Sequence, residues 1–254
     1  MTEAALRPTI PAPGQTTPAP RLAPSDFLVT KALVALDKLL PDSQPPLHFY
    51  VVGGYALQLA KVRSNPNDLT DVDYIGEPLS PEVRSLVNEI GLRFGLGPGW
   101  LNNDLLLTGT DSIKDIEFLT GPLHFVDYHI PELRHITISA ADAESVLRMK
   151  LISIDTSLIS YLDQAELAAR LNQSALPLYT RLRDFTDVAL ICEKLGWGRA
   201  DLIRLITEMN RDGYLLAPKE TSAAALAALS TTDLAVILEA AAQVVHGDSA
   251  QAVR

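Results

Sequence analysis

The residues with the clearest chemical content are a glycine pair and two aspartates that follow it. In Val51-Val52-Gly53-Gly54-Tyr55-Ala56-Leu57 the glycines stand between a short apolar run and a helical pattern. Glycines at a strand-to-helix junction let backbone N–H groups approach an anion closely, and the start of the helix adds its positive dipole end. In Asp71-Val72-Asp73-Tyr74-Ile75 one residue separates the two carboxylates. On a strand that spacing sends both to the same face. Two carboxylates aimed at one point repel unless a divalent cation lies between them. Hard oxygen ligands suit Mg2+ or Mn2+, which also bind a nucleotide's phosphates. A phosphate cradle beside a metal-binding pair is what phosphoryl or nucleotidyl transfer requires. Taken singly, a Gly-Gly is commonly a tight turn and an Asp-x-Asp a solvated edge; their order and separation carry the information.

The elements that must hold these residues can be read from the flanking pattern. Ser25 and Asp26 open a helical pattern to about Leu40, closed by Pro41. Leu47 to Val52, bounded by Pro45-Pro46 and Gly53-Gly54, reads as a buried strand. A short helix follows from Tyr55 to about Val62, and Val72 to Ile75 is a second strand. Ser80 with Pro81 starts a helix that runs to about Phe94. Leu96-Gly97-Pro98-Gly99-Trp100 is a turn without a phosphate-loop lysine, and further strands are expected at Leu105 to Leu107, Ile116 to Leu119, Leu123 to His129 and Arg134 to Ile138. Ser139 with Asp142 resembles a capping box. Helical patterns dominate beyond it, at about 140–154, 156–171, 177–195, 199–210, 222–229 and 231–245. The expected organisation is an extended Pro-rich tail over 1–24, an α/β unit over 25–138 and a helical unit over 139–254.

With these motifs in place the chain resembles the DNA polymerase β-like nucleotidyltransferase superfamily, whose signature is an apolar residue, Gly-Gly or Gly-Ser, a helix, then Asp-x-Asp or Asp-x-Glu on the next strand. It is closer to the bacterial abortive-infection nucleotidyltransferases and related toxins of toxin–antitoxin pairs. The resemblance is carried by Gly53-Gly54-Tyr55-Ala56-Leu57, Arg63, Thr70, Asp71 and Asp73, then by Lys150 within Leu147-Arg148-Met149-Lys150-Leu151 and by Arg183-Asp184-Phe185-Thr186-Asp187. It spans about residues 47–195.

The resemblance implies a mixed sheet flanked by helices and a Mg2+- or Mn2+-dependent transfer of a nucleotide from a nucleoside triphosphate to a hydroxyl acceptor. Asp71 and Asp73 would hold two such ions with a third carboxylate from a later strand. Asp127 fits that role because a lone charge inside an apolar strand needs a partner, with Asp115 and Glu117 as rivals. Gly53 and Gly54 would cradle the phosphates, with Arg63 and Thr70 near them. Lys150 and Arg183 would neutralise phosphate charge, and Asp184 would orient Lys150 or act as base. Read from pattern alone, Lys150 would only lay its stem on the core with its ammonium in water, and Asp184 and Asp187 would form one solvated helix face. The acceptor would be an RNA 3′ end such as tRNA, a protein or a small molecule, and an antitoxin partner is implied by analogy. The alternative is a nucleotidyltransferase-type module that has lost catalysis and binds a nucleotide or a protein.

Composition sets the outer bounds. The chain has 254 residues, with Lys+Arg 21 against Asp+Glu 31 and a net charge of −10. Such a field repels duplex DNA at long range. The single cysteine, Cys192, excludes a disulfide framework, lies on an apolar helix face and reads as core. The five histidines (His48, His124, His129, His135, His246) lack zinc-type spacing, and no Gly-x-Ser-x-Gly element supports a serine hydrolase. No apolar run reaches the ~18–20 residues of a membrane span, and no secretory signal pattern opens the chain. A cytoplasmic protein is the expectation.

Overall fold

The computed structural model describes residues 26–65, 69, 71–103, 112–170 and 182–251. The first elements follow the sequence reading. Helix α1 (Leu28–Asp37) buries Val29, Ala32, Leu33 and Leu36, a helical spacing that gives it one apolar face. Strand β1 (Leu47–Val52) leads directly into the short helix α2 (Gly53–Leu59). Strand β2 (Val72–Ile75) and helix α3 (Pro81–Phe94) come next. The Ser80 hydroxyl accepts the Val83 N–H at the start of α3, and Gly95 at φ 70° ends the helix in the left-handed conformation.

A two-residue strand β3 (Leu101–Asn102) follows the Gly97–Gly99 turn, anchored by buried Trp100, whose indole N–H donates to the Val87 carbonyl at 2.8 Å. Strands β4 (Phe125–Tyr128) and β5 (Ile136–Ala141) complete a five-stranded sheet in the order β3-β2-β1-β5-β4. The sheet is mixed. β1 runs antiparallel to β2 and parallel to β5, β3 is parallel to β2, and β4 is antiparallel to β5. The fold class is therefore mixed α/β.

The expected strand over Ile116 to Leu119 is instead part of helix α4 (Ile113–Thr120). Its apolar residues suggested a strand, but Ile113, Ile116 and Thr120 sit at helical spacing, and the Ser112 hydroxyl caps the Asp115 N–H at 3.2 Å. The capping box at Ser139 is also corrected. Ser139 lies inside β5, which runs past the expected boundary at 138 as far as Ala141. Asp142 caps the next helix by accepting the Ser145 N–H at 2.8 Å.

That helix, α5 (Ala143–Arg170), replaces the two helices expected over 140–154 and 156–171. Nothing between them breaks a helix. Helices α6 (Leu182–Leu195), α7 (Arg199–Arg211), α8 (Pro218–Ala228) and α9 (Leu234–Gln251) follow. The Pro-rich tail, the strand expected over Leu105 to Leu107 and the stretch before Leu182 lie outside the described residues.

Two buried carboxylates tie distant elements together. Asp37 accepts the backbone N–H groups of Arg134, His135 and Ile136 at 2.7–2.9 Å, joining α1 to the start of β5. Asp155 accepts those of Leu216 and Ala217 and the Thr221 hydroxyl, joining α5 to α8. Buried carboxylates are stable when their oxygens are fully hydrogen-bonded. Among the described residues no helix is long and apolar enough to cross a membrane.

Candidate functional site

The strand registers decide which side chains share a face. On β1, Phe49 and Val51 point into the core, while His48, Tyr50 and Val52 point to the other side. The β1–β2 register sets Asp73 opposite Val52 and Ile75 opposite Tyr50. Asp73 therefore projects from the non-core face, at the end of β1 where the chain turns into α2. Asp71 lies just before β2 and is exposed.

The bend itself is built around Gly53. Its φ of +64° is one that L side chains rarely adopt, and a Cβ placed there would stand 2.9 Å from Oδ2 of Asp73. The Asp73 carboxylate thus abuts the backbone at the start of α2, where the first-turn N–H groups have no acceptor within their own helix. Gly54 faces the other way. A Cβ on it would meet Leu69 Cδ2 at 2.5 Å and Arg63 Nη1 at 3.3 Å. The glycine pair is the joint between an acidic side and a basic side.

The basic side is a buried ion-pair network. Arg63 donates through Nε at 2.8 Å and Nη2 at 2.5 Å to Oδ1 of Asp187 on α6. Oδ2 of Asp187 lies 3.0 Å from Nζ of Lys150 on α5, and Lys150 also donates to Asp184 at 2.5 Å. The Ser153 hydroxyl bonds the second Asp184 oxygen at 2.8 Å. Arg63, Asp184 and Asp187 are 5%, 3% and 1% exposed, so the two cations and two carboxylates compensate one another out of water. The sequence places Asp184 and Asp187 one turn apart on an amphipathic helix. Only the fold turns that face inward, against Lys150 and the segment after α2. Asp187 is thus a buried member of the network; its spacing from Asp184 was visible in the sequence, which left open whether their shared face is solvated.

The remaining expected residues are placed as follows. Asp127 does not join Asp73. It lies on edge strand β4, three strand spacings away through β1 and β5, roughly 14 Å at ~4.8 Å per strand. Its partner is the Ser139 hydroxyl, which donates to it at 2.5 Å. A shared metal site is excluded by that distance, and the alternating apolar strand that suggested one is simply an edge. The rivals do not replace it, because Asp115 and Glu117 are on α4, where Asp115 bonds Ser112 and Glu117 accepts the Leu123 N–H. Arg183 is exposed. Thr70 lies outside the described residues. No group of three His, Cys, Asp or Glu side chains able to hold a metal converges among the described residues.

The neighbour of Asp73 on its outer side is Asn102, its register partner on β3. Nothing in the sequence singled it out, since a two-residue strand after a glycine turn leaves no periodicity to read. Compared with family models, with curated proteins and with solved structures, the chain gives no match.

Proposed function

We propose that the protein is a metal-dependent nucleotidyltransferase that moves a nucleoside monophosphate from a nucleoside triphosphate onto a hydroxyl acceptor. One observation carries the reading: the Gly53 bend, left-handed and free of a Cβ, has the Asp73 carboxylate against it. A backbone that offers N–H groups and a carboxylate that offers oxygen meet at one spot, as a metal–triphosphate complex requires.

The donor chemistry fits one Mg2+ or Mn2+. Mg2+ is commonly held by one or two carboxylates together with substrate phosphates. Asp73 and Asp71 would supply the carboxylates, and the amide oxygen of Asn102 is a further hard donor on the same face. Bound there, the ion would polarise the phosphoryl oxygens and align the triphosphate. The Gly53 and Gly54 N–H groups would cradle the outer phosphates. Lys150, 15% exposed, would lend its charge to them while Asp184 holds its ammonium in place. The acceptor oxygen attacks the α-phosphorus, a new O–P bond forms, the bond to the bridging oxygen breaks and pyrophosphate leaves. The hydroxyl proton goes to water. Membership among the abortive-infection type enzymes, with a tRNA or protein acceptor and an antitoxin partner, is the same proposal at finer grain and rests on the resemblance alone.

A second reading has its own observation. Lys150 and Arg63 are both engaged by buried carboxylates. A module that binds a nucleotide without turning it over has that economy of charge. The two separate in one experiment. Purified protein with Mg2+ and each of the four NTPs, supplied with total RNA, releases pyrophosphate if it is the enzyme, and Asp73→Ala abolishes the release. Nucleotide-dependent thermal stabilisation without release under any acceptor establishes the module instead.

A further inference from the structure

The non-core face of the sheet carries a second constellation that the site above does not use. His48 and Tyr50 on β1 stack with ring centroids 4.4 Å apart and planes 29° from parallel. Phe125 on β4 meets Tyr50 edge-on at 5.1 Å. The rings are held, not loose. The Ser139 hydroxyl donates its one hydrogen to Asp127, 2.5 Å away. The 2.9 Å contact between Ser139 Oγ and His48 Nε2 therefore takes its hydrogen from the imidazole. That chain of bonds fixes the tautomer and the plane of an otherwise exposed histidine.

Beside the rings lies a cavity of about 540 Å³, within the ~300–1,000 Å³ range of small-ligand sites. Its walls include His48, Tyr50, Ile75, Gly76, Glu77 and Lys114. The last two bring a carboxylate and an ammonium into an otherwise largely apolar wall, an acceptor and a donor for the edge of a planar ring.

Position along the sheet says what such a ligand does. Tyr50 and Ile75 precede and follow the Val52–Asp73 pair by two residues, about 7 Å at ~3.4 Å per residue. Gly53 and the start of α2 follow that pair in the opposite direction. On the nucleotidyltransferase reading, a triphosphate whose leaving end lies at the helix start is attacked in line from the other end, which is the aromatic side.

We infer that this face is a nucleobase-binding subsite, with the base seated on the His48–Tyr50 pair so that its ribose hydroxyl reaches toward Asp73. The role as acceptor subsite rests on the nucleotidyltransferase reading; the binding of a base does not. The base belongs either to a free nucleoside or to the end of an RNA strand. Recognition works through ring faces and not through phosphates, which suits a chain of net charge −10.

The test uses the full chain without NTP. Adenosine and cytidine are titrated by ligand-observed NMR, and a 5′-labelled single-stranded RNA decamer by fluorescence anisotropy. Tyr50→Ala and His48→Ala each weaken binding about tenfold, the size expected of a lost stacking partner. Tyr50→Phe, which keeps the ring, binds as the wild type does. Ser139→Ala, which frees the imidazole, weakens binding several-fold. Binding of nucleosides identifies the free compound as the source, and binding of the decamer alone identifies the strand end. Wild-type binding by Tyr50→Ala and His48→Ala, or no binding of any probe by the wild type, overturns the inference. If bases bind through this face while no NTP yields pyrophosphate, the enzyme reading falls and the subsite remains. If pyrophosphate is released and no base binds, the enzyme remains and the subsite falls.

Discussion

Gly53 shows how one missing side chain shapes a site. Alanine there meets both a φ of +64° and the Asp73 carboxylate at 2.9 Å. The left-handed conformation alone costs about 1–2 kcal/mol for an L residue, so Gly53→Ala loses at least that in urea unfolding and any nucleotide-dependent stabilisation with it. Gly54→Ala presses on a Leu69 methyl that can rotate away and loses less. Cys192 is a second residue-scale case. Burial, helped by the nearby Asp201 charge, pushes its thiol from 9.0 up to about 11. The unfolded thiol releases its proton first, so above pH 9 the unfolded state binds fewer protons and stability falls as pH rises toward 11. The wild type therefore loses more stability between pH 9 and 11 than Cys192→Ala. At pH 8 the native thiol, protonated and buried, resists iodoacetamide and reacts only once unfolded. The apolar neighbours of Cys192 in the sequence already placed it in the core. The pairing of Lys150 with Asp184 was one of two roles that the resemblance implied for Asp184, the other being a base; residue types alone left that lysine at the surface.

At the scale of elements, the ion-pair network is the clamp that docks α5 and α6 against the segment after α2. Removing one member leaves a buried charge uncompensated, a loss of about 3–5 kcal/mol. Asp187→Ala, which takes from Arg63 its buried carboxylate and leaves Lys150 with Asp184 alone, shows that loss as a drop in the thermal midpoint of roughly 10 °C for a chain of this size. Asp184→Ala leaves Lys150 paired with Asp187 and loses less. The two variants also separate structure from chemistry: Asp184→Ala impairs pyrophosphate release beyond its effect on stability if it holds Lys150 for the phosphates. The elements themselves were largely legible. β1, β2 and α3 carry boundary signals at both ends, from proline pairs and glycines to the Ser80 cap. α4 was misread because an eight-residue element fits two apolar contacts to either period. The split of α5 was an error of the same kind, a boundary placed where no breaker stands.

For the whole molecule, the sheet order is what decides which carboxylates can cooperate. Asp73 and Asp127 share a face, but β1 and β5 lie between their strands. The proposed metal site would therefore draw on Asp73, Asp71 and the neighbouring Asn102, and the distant Asp127 is linked to His48 through Ser139 instead. Asp127→Ala accordingly leaves Mg2+-dependent nucleotide stabilisation at the wild-type level, measured as the shift in thermal midpoint with ATP, whereas Asp73→Ala removes it. The net charge of −10 has a matching consequence. RNA binding through ring faces has a shallow salt dependence, with a log–log slope near −1 or flatter, because few phosphates are neutralised.

The amino-acid sequence alone determined the glycine bend, the aspartates after it, the helices that bury an apolar stripe and the change from strands to helices, since each is written in spacing over a few residues. Tertiary structure alone decided that Asp187 faces inward, that Asp127 stands apart from Asp73 and that Asn102 stands beside it. Those are relations between strands and helices far apart in the chain, and they depend on sheet order and register, which local spacing does not encode.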